Sequence, residues 1–130
     1  MIDAIKNELK LKTKKLSENI NFFGIIAIEL FELVDGRIIF NEIAPRPHNS
    51  FHWTLDGCEN SQFDILIRTI CGLPVKDVKC NTKWEMKNII GDDANNLNEI
   101  YSNQNYLLNL YGKKNIKAGR KMGHYNRQII

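Results

Sequence analysis

Two neighbouring apolar segments in the first third of the chain are predicted to be β-strands. The first runs over residues 24–33 and the second over 37–44. Asp35-Gly36 lies between them, and Asp-Gly is the preferred centre of a two-residue type I′ turn. The pattern therefore predicts an antiparallel hairpin in which Val34 pairs with Arg37.

This register would place Glu29 directly opposite Glu42. Their neighbours on the same face would be three apolar pairs: Ala27 with Ala44, Phe31 with Phe40, and Leu33 with Ile38. Two opposed carboxylates on an apolar face repel each other and lose solvation, and a hard divalent cation such as Mg²⁺ would relieve both costs. Three alternatives stay open: a different turn type that separates the acids, protonation of one acid, or pairing with a lysine.

Helical patterns flank the hairpin. Asp3 is predicted to cap a first helix that runs to about Glu18, with apolar residues at roughly helical spacing: Ile2, Ile5, Leu9 and Leu16. The lysines around them indicate a solvated helix face. A second helix is predicted from Ser61, which forms a capping box with Asp64. Its apolar stripe comprises Phe63, Leu66, Ile67 and Ile70. Gly72 and Pro74 are predicted to end this helix.

After residue 74, short apolar runs alternate with polar turns. They predict strands over 75–78, 84–90, 107–111 and 122–125, and a short helix over 94–101. The fold class expected is therefore α+β. Helix, antiparallel hairpin and helix form a first domain over 1–74, and a small β-rich domain follows over 75–130.

Composition and charge exclude several classes of protein. The chain has 130 residues, of which 43% are hydrophobic and 25% are charged, and its net charge is +3. No apolar run reaches membrane-spanning length and no secretion signal is visible, so a cytoplasmic protein without a membrane partner is expected. The lysines in the first fifteen residues lack interleaved aromatic residues, which argues against nucleic-acid binding. Cys58, Cys71 and Cys80 form no CxxC pair and are predicted to be small buried hydrophobes rather than disulfide or zinc ligands.

The loop that follows the second strand is rich in side chains that bind anions. Two prolines, Pro45 and Pro47, predict a stiff extended loop. Arg46 offers a planar fork of donors suited to carboxylate, bicarbonate or phosphate. His48 and His52 can donate, accept or move protons near neutral pH, and Asn49 and Ser50 add neutral hydrogen bonds. A polar surface turn is the competing interpretation.

A second basic cluster covers residues 113–121. It contains four lysines and one arginine, and Gly112 and Gly119 would allow a ligand to approach the backbone closely. Such a segment suits a phosphate anchor. A solvated basic hairpin explains the same composition, and composition alone favours that interpretation.

Two motifs resemble those of a known family. The segment NEIAPRPHNS (41–50), followed by HWT (52–54) and SQF (61–63), is similar to the N5-carboxyaminoimidazole ribonucleotide synthases, which are ATP-grasp enzymes of purine biosynthesis. GRKMGH (119–124) resembles the motif near that family's C-terminus, and ICGLP (70–74) also fits. The match runs in the right order over most of the chain and corresponds to the family's C-terminal third.

The resemblance implies a reaction. ATP would phosphorylate bicarbonate to carboxyphosphate, and this intermediate, or CO₂ released from it, would carboxylate the exocyclic amine of 5-aminoimidazole ribonucleotide. The products would be N5-carboxyaminoimidazole ribonucleotide, ADP and phosphate. The implied cofactors are ATP and Mg²⁺, and the family's complete enzyme is expected to be a homodimer.

The resemblance also implies roles for individual residues. Glu29 and Glu42 match the two acidic Mg²⁺ ligands, and Asn41 with Glu42 matches the pair that contacts ATP. Arg46 and His48 match catalytic positions, with Arg46 holding bicarbonate or the carboxylated intermediate. The side chains expected to bind the nucleotide substrate are Arg46, His48, Asn49 and Ser50, together with Lys113 and Arg120, which match a pair that grips the ribose phosphate.

The chain departs from the family pattern in three respects. Phe51 stands where the family usually has glycine, and Lys117-Ala118 replaces a more usual Arg-Pro. The N-terminal domain and the front of the ATP-grasp domain have no counterpart in the chain. The chain alone is therefore expected to lack turnover and to need that portion in cis or in trans. The alternatives are a non-catalytic binding module of ATP-grasp origin and a related ATP-grasp enzyme with another substrate.

Overall fold

The computed structural model describes residues 2–129, with side chains from residue 6 onwards. Helices and strands follow each other as α1 (Ile2–Asn19), β1 (Ala27–Glu32), β2 (Ile38–Ala44), α2 (Thr54–Gly57), α3 (Gln62–Ile70), β3 (Lys83–Ile90), α4 (Leu97–Ser102), β4 (Leu107–Leu110) and β5 (Lys121–Ile129). Single 3₁₀ segments cover Asn49–Phe51 and Gly91–Asn96. The predicted α+β fold class is confirmed. No helix in the described range is long and apolar enough to cross a membrane.

The chain folds as two compact units. The first runs up to His48 and resumes over Ile65–Val75, whereas the second comprises Asn49–Asp64 and the chain from Lys76 onward. The first contains α1 and the two-stranded antiparallel sheet of β1 and β2, and the second contains an antiparallel sheet in the order β3-β5-β4. The predicted domain boundary at residue 74 stays a prediction.

The turn between β1 and β2 has three residues, not two. The N–H of Leu33 donates to the carbonyl of Arg37 at 2.9 Å, and that of Gly36 donates to the carbonyl of Leu33 at 2.9 Å. Gly36 takes a left-handed φ of +80°, but Asp35 does not have the positive φ that a type I′ turn requires. Its carboxylate instead accepts the Arg37 N–H at 3.1 Å. The predicted type I′ turn is wrong, and pairing next to the turn is shifted by one residue.

A β-bulge further along the hairpin cancels this shift. Leu30 pairs with Phe40, and Phe31 pairs with Ile39, so the predicted pairs Phe31–Phe40 and Leu33–Ile38 are wrong. Beyond the bulge the register changes by one residue, and the remaining predicted pairs are confirmed: Ala27 with Ala44 and Glu29 with Glu42. Asn41 is the additional residue in β2.

The helices of the first part of the chain largely follow the predicted boundaries. α1 begins at Ile2, so Asp3 lies inside the helix, and its predicted capping contact falls outside the described side chains. α3 has the predicted capping box, because the Ser61 N–H donates to Asp64 Oδ2 at 2.9 Å and the Asp64 N–H donates to Ser61 Oγ at 3.2 Å. The predicted apolar stripe of α3 is not a buried core, since Ile67 and Ile70 are exposed.

The second unit is organised around β5, the central strand of its sheet. Its buried residues alternate along one face as Met122, His124 and Asn126. Gly123 lies between them, and a Cβ at this position would approach the Asn109 carbonyl oxygen to 2.5 Å, so the neighbouring strand leaves no room for a side chain. β3, β4 and β5 confirm three of the predicted strands; the fourth, over 75–78, is wrong because these residues have no regular structure.

The prediction for the cysteines is wrong. Cys58 and Cys80 form a disulfide with a Cα–Cα distance of 4.5 Å, and Cys71 is exposed. The flanking backbone explains the pairing, because the N–H of Glu59 donates to the carbonyl of Lys79 at 3.1 Å. Two segments 22 residues apart are thereby brought side by side, which sequence spacing alone does not reveal.

Two buried threonines provide a test of the hydrogen bonds that hold the segment before α3. The Thr54 hydroxyl donates to the Phe51 carbonyl at 2.6 Å and accepts the Gln62 N–H at 3.1 Å. We expect Thr54→Val to lower the free energy of unfolding by about 1–3 kcal/mol, because both partners lose a buried hydrogen bond. Thr69→Val is the matched control, because Thr69 donates only within its own helix, to the Ile65 carbonyl. Urea unfolding that gives equal losses for both variants would contradict this.

Candidate functional site

The opposed acids of the hairpin are bridged by a histidine. His48 is 8% exposed. Its Nε2 lies 2.7 Å from Glu42 Oε1, and its Nδ1 lies 3.4 Å from Glu29 Oε1. Both ring nitrogens therefore face a carboxylate, and an imidazole N–H donated to either acid offsets part of the repulsion between the two. This arrangement is none of the alternatives considered from the sequence, which were a register shift, a protonated acid or a lysine.

The bulge brings a fourth side chain to the acid pair. In a regular strand, Asn41 and Glu42 would point to opposite faces of the sheet. At the bulge, Asn41 Nδ2 donates to Glu29 Oε2 at 3.2 Å, while Glu42 contacts His48. The irregularity therefore lets two consecutive residues serve the same site, as bulges next to functional sites often do.

The cluster has the donor set of a cation site. Glu29, Glu42 and His48 each offer one ligand atom, and these atoms lie within 4.8 Å of one another. Mg²⁺ takes oxygen ligands, usually one or two carboxylates completed by water and substrate phosphate. The two carboxylates fit this preference and the imidazole fits it poorly. Glu29 and Glu42 therefore stay the predicted Mg²⁺ ligands, and His48 contacts both of them.

Arg46, the other loop residue with a predicted catalytic role, does not contact the acid pair. Arg46 is exposed, and its Nη1 donates to the neighbouring Pro47 carbonyl at 3.0 Å. Its guanidinium therefore retains donors for an anion. The structure thus brings His48, but not Arg46, into contact with the acid pair, and the catalytic and bicarbonate-binding roles of these two residues stay predictions.

In the second unit, Asn49 is held by three polar contacts. Asn49 and Asn88 exchange two hydrogen bonds, with Asn49 Nδ2 donating to Asn88 Oδ1 at 2.9 Å and Asn88 Nδ2 donating back at 3.0 Å. Lys121 Nζ donates to Asn49 Oδ1 at 2.9 Å. Ser50 follows in the same 3₁₀ segment and is exposed. Sequence reasoning missed Asn88 and Lys121 as partners of the predicted substrate loop, because their contacts span 39 and 72 residues.

The predicted phosphate anchors lie between β4 and β5. Lys113 Nζ donates to the Lys121 carbonyl, and Arg120 Nη1 donates to the Asn115 carbonyl at 3.2 Å. Gly112 and Gly119 have positive φ values of +64° and +72°, and no atom lies within 4 Å of the Cβ position at either. The open backbone that the glycines were expected to provide is present. The role of the two basic side chains in binding phosphate stays a prediction.

The buried His124 on the central strand β5 contacts Tyr111, which lies close to this region. Tyr111 lies 2.8 Å from His124, between the tyrosine oxygen and Nδ1, and the His52 and His124 rings have centroids 5.3 Å apart. Burial lowers the pKa of His124 below its ordinary value, and the nearby charge of Asp56 opposes the shift. Burial also raises the pKa of Tyr111. Both groups are therefore held in their neutral forms at neutral pH. The only sequence signal for these two groups was His124, a polar residue at an inward position of a strand with alternating side chains.

Two family models match separate parts of the chain. Residues 1–63 match the family model of the ATP-grasp domain, and residues 85–127 match that of the phosphoribosylaminoimidazole carboxylase C-terminal domain. The N5-carboxyaminoimidazole ribonucleotide synthase of Brucella melitensis is 43% identical over 114 residues, covering 88% of this chain and 32% of the relative. That of Bacillus subtilis is 45% identical over 111 residues, covering 85% and 29%. The chain thus spans about a third of the length of the curated relatives it matches.

Solved structures show the same likeness. The N5-carboxyaminoimidazole synthetase of Staphylococcus aureus superposes with a TM-score of 0.88 at 34% identity, over 95% of this chain and 34% of that one. The N5-carboxyaminoimidazole synthase of Aspergillus clavatus, in complex with ADP and 5-aminoimidazole ribonucleotide, superposes with a TM-score of 0.75 at 38% identity, over 82% and 30%. Both matches extend over most of the described chain.

The predicted metal ligands can be tested with Mn²⁺ as a paramagnetic substitute for Mg²⁺. We expect Glu29→Gln and Glu42→Gln each to weaken Mn²⁺ binding by about tenfold or more, since even residues that only support a ligand often have effects of this size. Glu32→Gln is the matched control, because Glu32 lies on β1 but is exposed and pairs with Ile38. The measurement is an electron paramagnetic resonance titration. Equal affinity for all three variants would show that the acid pair is not the cation site.

The buried His124 predicts a pH dependence of stability. Its pKa is lowered in the folded chain, so below the unfolded value of about 6.5 the unfolded chain takes up a proton that the folded chain does not. Stability contributed by the neutral imidazole is therefore lost as pH falls below about 6.5, with a slope of at most about 1.4 kcal/mol per pH unit. His124→Gln should remove this component. Parallel curves of unfolding free energy against pH for the two proteins would contradict it.

Proposed function

The chain belongs to the family of N5-carboxyaminoimidazole ribonucleotide synthases, and from that premise we propose that it is the C-terminal part of an ATP-dependent carboxylating ligase. The whole enzyme would convert 5-aminoimidazole ribonucleotide, bicarbonate and ATP to N5-carboxyaminoimidazole ribonucleotide, ADP and phosphate, in the cytoplasm and in purine biosynthesis. The observation that carries the proposal is the opposed pair of Glu29 and Glu42, with ligand atoms gathered on one hairpin.

In this proposal, the hairpin binds the metal and the nucleotide cofactor. Glu29 and Glu42 hold Mg²⁺, and Asn41 contacts ATP from the same side because the bulge aims it there. Mg²⁺–ATP supplies the phosphoryl group that activates bicarbonate, and charge neutralisation by the metal is the main requirement of such transfers. His48 keeps the two carboxylates apart and oriented before the metal binds, which reduces the reorganisation that binding requires.

Arg46 and the residues of the second unit bind the carbon source and the nucleotide substrate. The guanidinium of Arg46 matches the planar carboxylate geometry of bicarbonate or of the carboxylated product. Asn49 and Ser50 hydrogen-bond the nucleotide substrate, and Lys113 and Arg120 bind its ribose phosphate. Each of these four side chains lies in or beside a turn, as binding residues positioned by a sheet usually do.

The hairpin also indicates what completes the enzyme. Phe31 is 56% exposed and Phe40 is 57% exposed, with Leu30, Ile39 and Ile43 also exposed on the same two strands. Exposed apolar surface of this extent is typical of an interaction site. We infer that the other part of the ATP-grasp fold covers it, supplied by the same polypeptide or by a second one, and that the complete enzyme is a homodimer.

Reconstitution tests the proposal. The chain alone should show no turnover, whereas the chain fused to the preceding part of the Bacillus subtilis relative should release ADP only when 5-aminoimidazole ribonucleotide and bicarbonate are both present. Glu42→Gln in the fusion should lower kcat by about a hundredfold or more, the size of effect seen when an electrostatic group at a reacting centre is removed. The assay is steady-state ADP release.

The control fusion carries the relative's own C-terminal third. If that control turns over but a folded fusion with this chain does not, the ligase assignment is wrong and a non-catalytic binding module is the better description. ADP release that depends on formate, or on another nucleotide, would instead favour a related ATP-grasp enzyme with a different substrate.

A further inference from the structure

Lys121 differs in its contact from the two nearby cations that are the predicted phosphate anchors. Lys113 Nζ donates to the Lys121 carbonyl, and Arg120 Nη1 donates to the Asn115 carbonyl, so both contacts stay within the basic segment over 113–121. The side chain of Lys121 instead donates from Nζ to Asn49 Oδ1 at 2.9 Å, across 72 residues of sequence. Lys121 is the first residue of β5, the central strand of its sheet. It therefore joins the sheet to the predicted substrate loop.

The amide pair formed by Asn49 and Asn88 has no defined sense of its own. Asn49 Nδ2 donates to Asn88 Oδ1 at 2.9 Å, and Asn88 Nδ2 donates to Asn49 Oδ1 at 3.0 Å. If both amides turned by half a rotation, oxygen and nitrogen would exchange places on each side chain, and two equivalent hydrogen bonds would form again. The pair therefore holds two segments together, but it does not select which atom of Asn49 points to either side.

The ammonium group of Lys121 selects one of the two senses. An ammonium group has three donors and no acceptor, so the Asn49 atom that faces it has to be the carbonyl oxygen, as the structure shows. In the reversed sense, the NH₂ group of Asn49 would face Lys121 Nζ, and two donors would be opposed. Oδ1 accepts from both Lys121 and Asn88, whereas Nδ2 gives one of its two hydrogens to Asn88. The side of the Asn49 amide away from Lys121 is therefore a donor and not an acceptor.

We propose that Lys121 is a positioning residue that orients the amide of Asn49, so that Asn49 recognises an acceptor atom of the nucleotide substrate. The inference rests on the proposed function, since that function assigns Asn49 to the nucleotide. The phosphate oxygens, hydroxyl oxygens and ring nitrogen of a nucleoside monophosphate are acceptors of this kind. Lys121 touches no substrate atom in this scheme, in contrast to Lys113 and Arg120. A fixed amide lowers the ordering cost of binding, because Asn49 need not turn when the ligand arrives.

The test compares KM values for 5-aminoimidazole ribonucleotide in the fusion with the preceding part of the Bacillus subtilis relative. We expect Lys121→Met to raise this KM roughly three- to tenfold, the effect of one hydrogen bond, and to leave the KM for ATP unchanged. Lys121→Arg should restore most of the loss, because a guanidinium group also only donates. Lys83→Met is the matched control, because Lys83 is exposed and begins β3 as Lys121 begins β5.

A double-mutant cycle separates positioning from direct binding. In an Asn49→Ala background, Lys121→Met should have little further effect, because Lys121 acts through Asn49. An equal rise in KM in both backgrounds would show that Lys121 binds the substrate itself, and it would overturn the proposal. The same holds if Lys121→Met leaves the KM unchanged, or if the rise follows the melting temperature and Lys121→Arg offers no rescue.

A failure of the proposed function would be seen separately. If the fusion with this chain does not turn over while the control fusion does, the substrate assignment fails. The orientation of the amide is then tested in the chain alone by NMR, from the exchange of the Asn49 side-chain amide hydrogens with water. Faster exchange in Lys121→Met than in Lys83→Met supports the role of Lys121 in orienting Asn49, and equal exchange overturns it.

Discussion

The main constraint on the first unit is that two negatively charged side chains lie opposite each other on the two strands of one hairpin. Glu29 and Glu42 face each other across β1 and β2, where opposed carboxylates repel. The buried His48 contacts both acids and offsets that repulsion within the chain itself. A protein selected for stability alone would place apolar residues at such a pair. In the proposed function, the two acids with a histidine between them hold a cation.

The second unit also places polar side chains at buried positions. The inward face of β5 carries His124 and Asn126, and Asn126 donates to Asp56 at 2.6 Å. Asn49, in the 3₁₀ segment, and Asn88, on β3, form a second pair. Paired polar groups specify one arrangement more sharply than apolar contacts do, although His124 Nε2 and Asn126 Oδ1 have no hydrogen-bond partner among the described residues. The loop predicted to bind the substrate is thus held in place by hydrogen bonds, whose geometry tolerates little displacement.

The sequence predicted the pairing of the two acids correctly, but the turn from which that pairing was derived was wrong. A two-residue turn was expected, and the three-residue turn that forms shifts the register by one residue. The bulge at Asn41 shifts it back, so Glu29 and Glu42 pair as expected although Phe31 and Phe40 do not. Asp-Gly is compatible with either turn, because only the glycine needs a positive φ in the three-residue form. A bulge has no local sequence signal that could have been used.

The sequence alone determined the features that depend on neighbouring residues. Periodicity, the Ser61 capping box and the strand-forming segments depend on neighbouring residues, and the motifs at 41–50 and 119–124 identified the family without any geometry. Only the tertiary structure showed that His48 joins the two acids, that Cys58 pairs with Cys80, and that Tyr111 contacts His124. These contacts depend on where segments that are distant in the chain meet in space. The sequence alone does not give the distance between such segments.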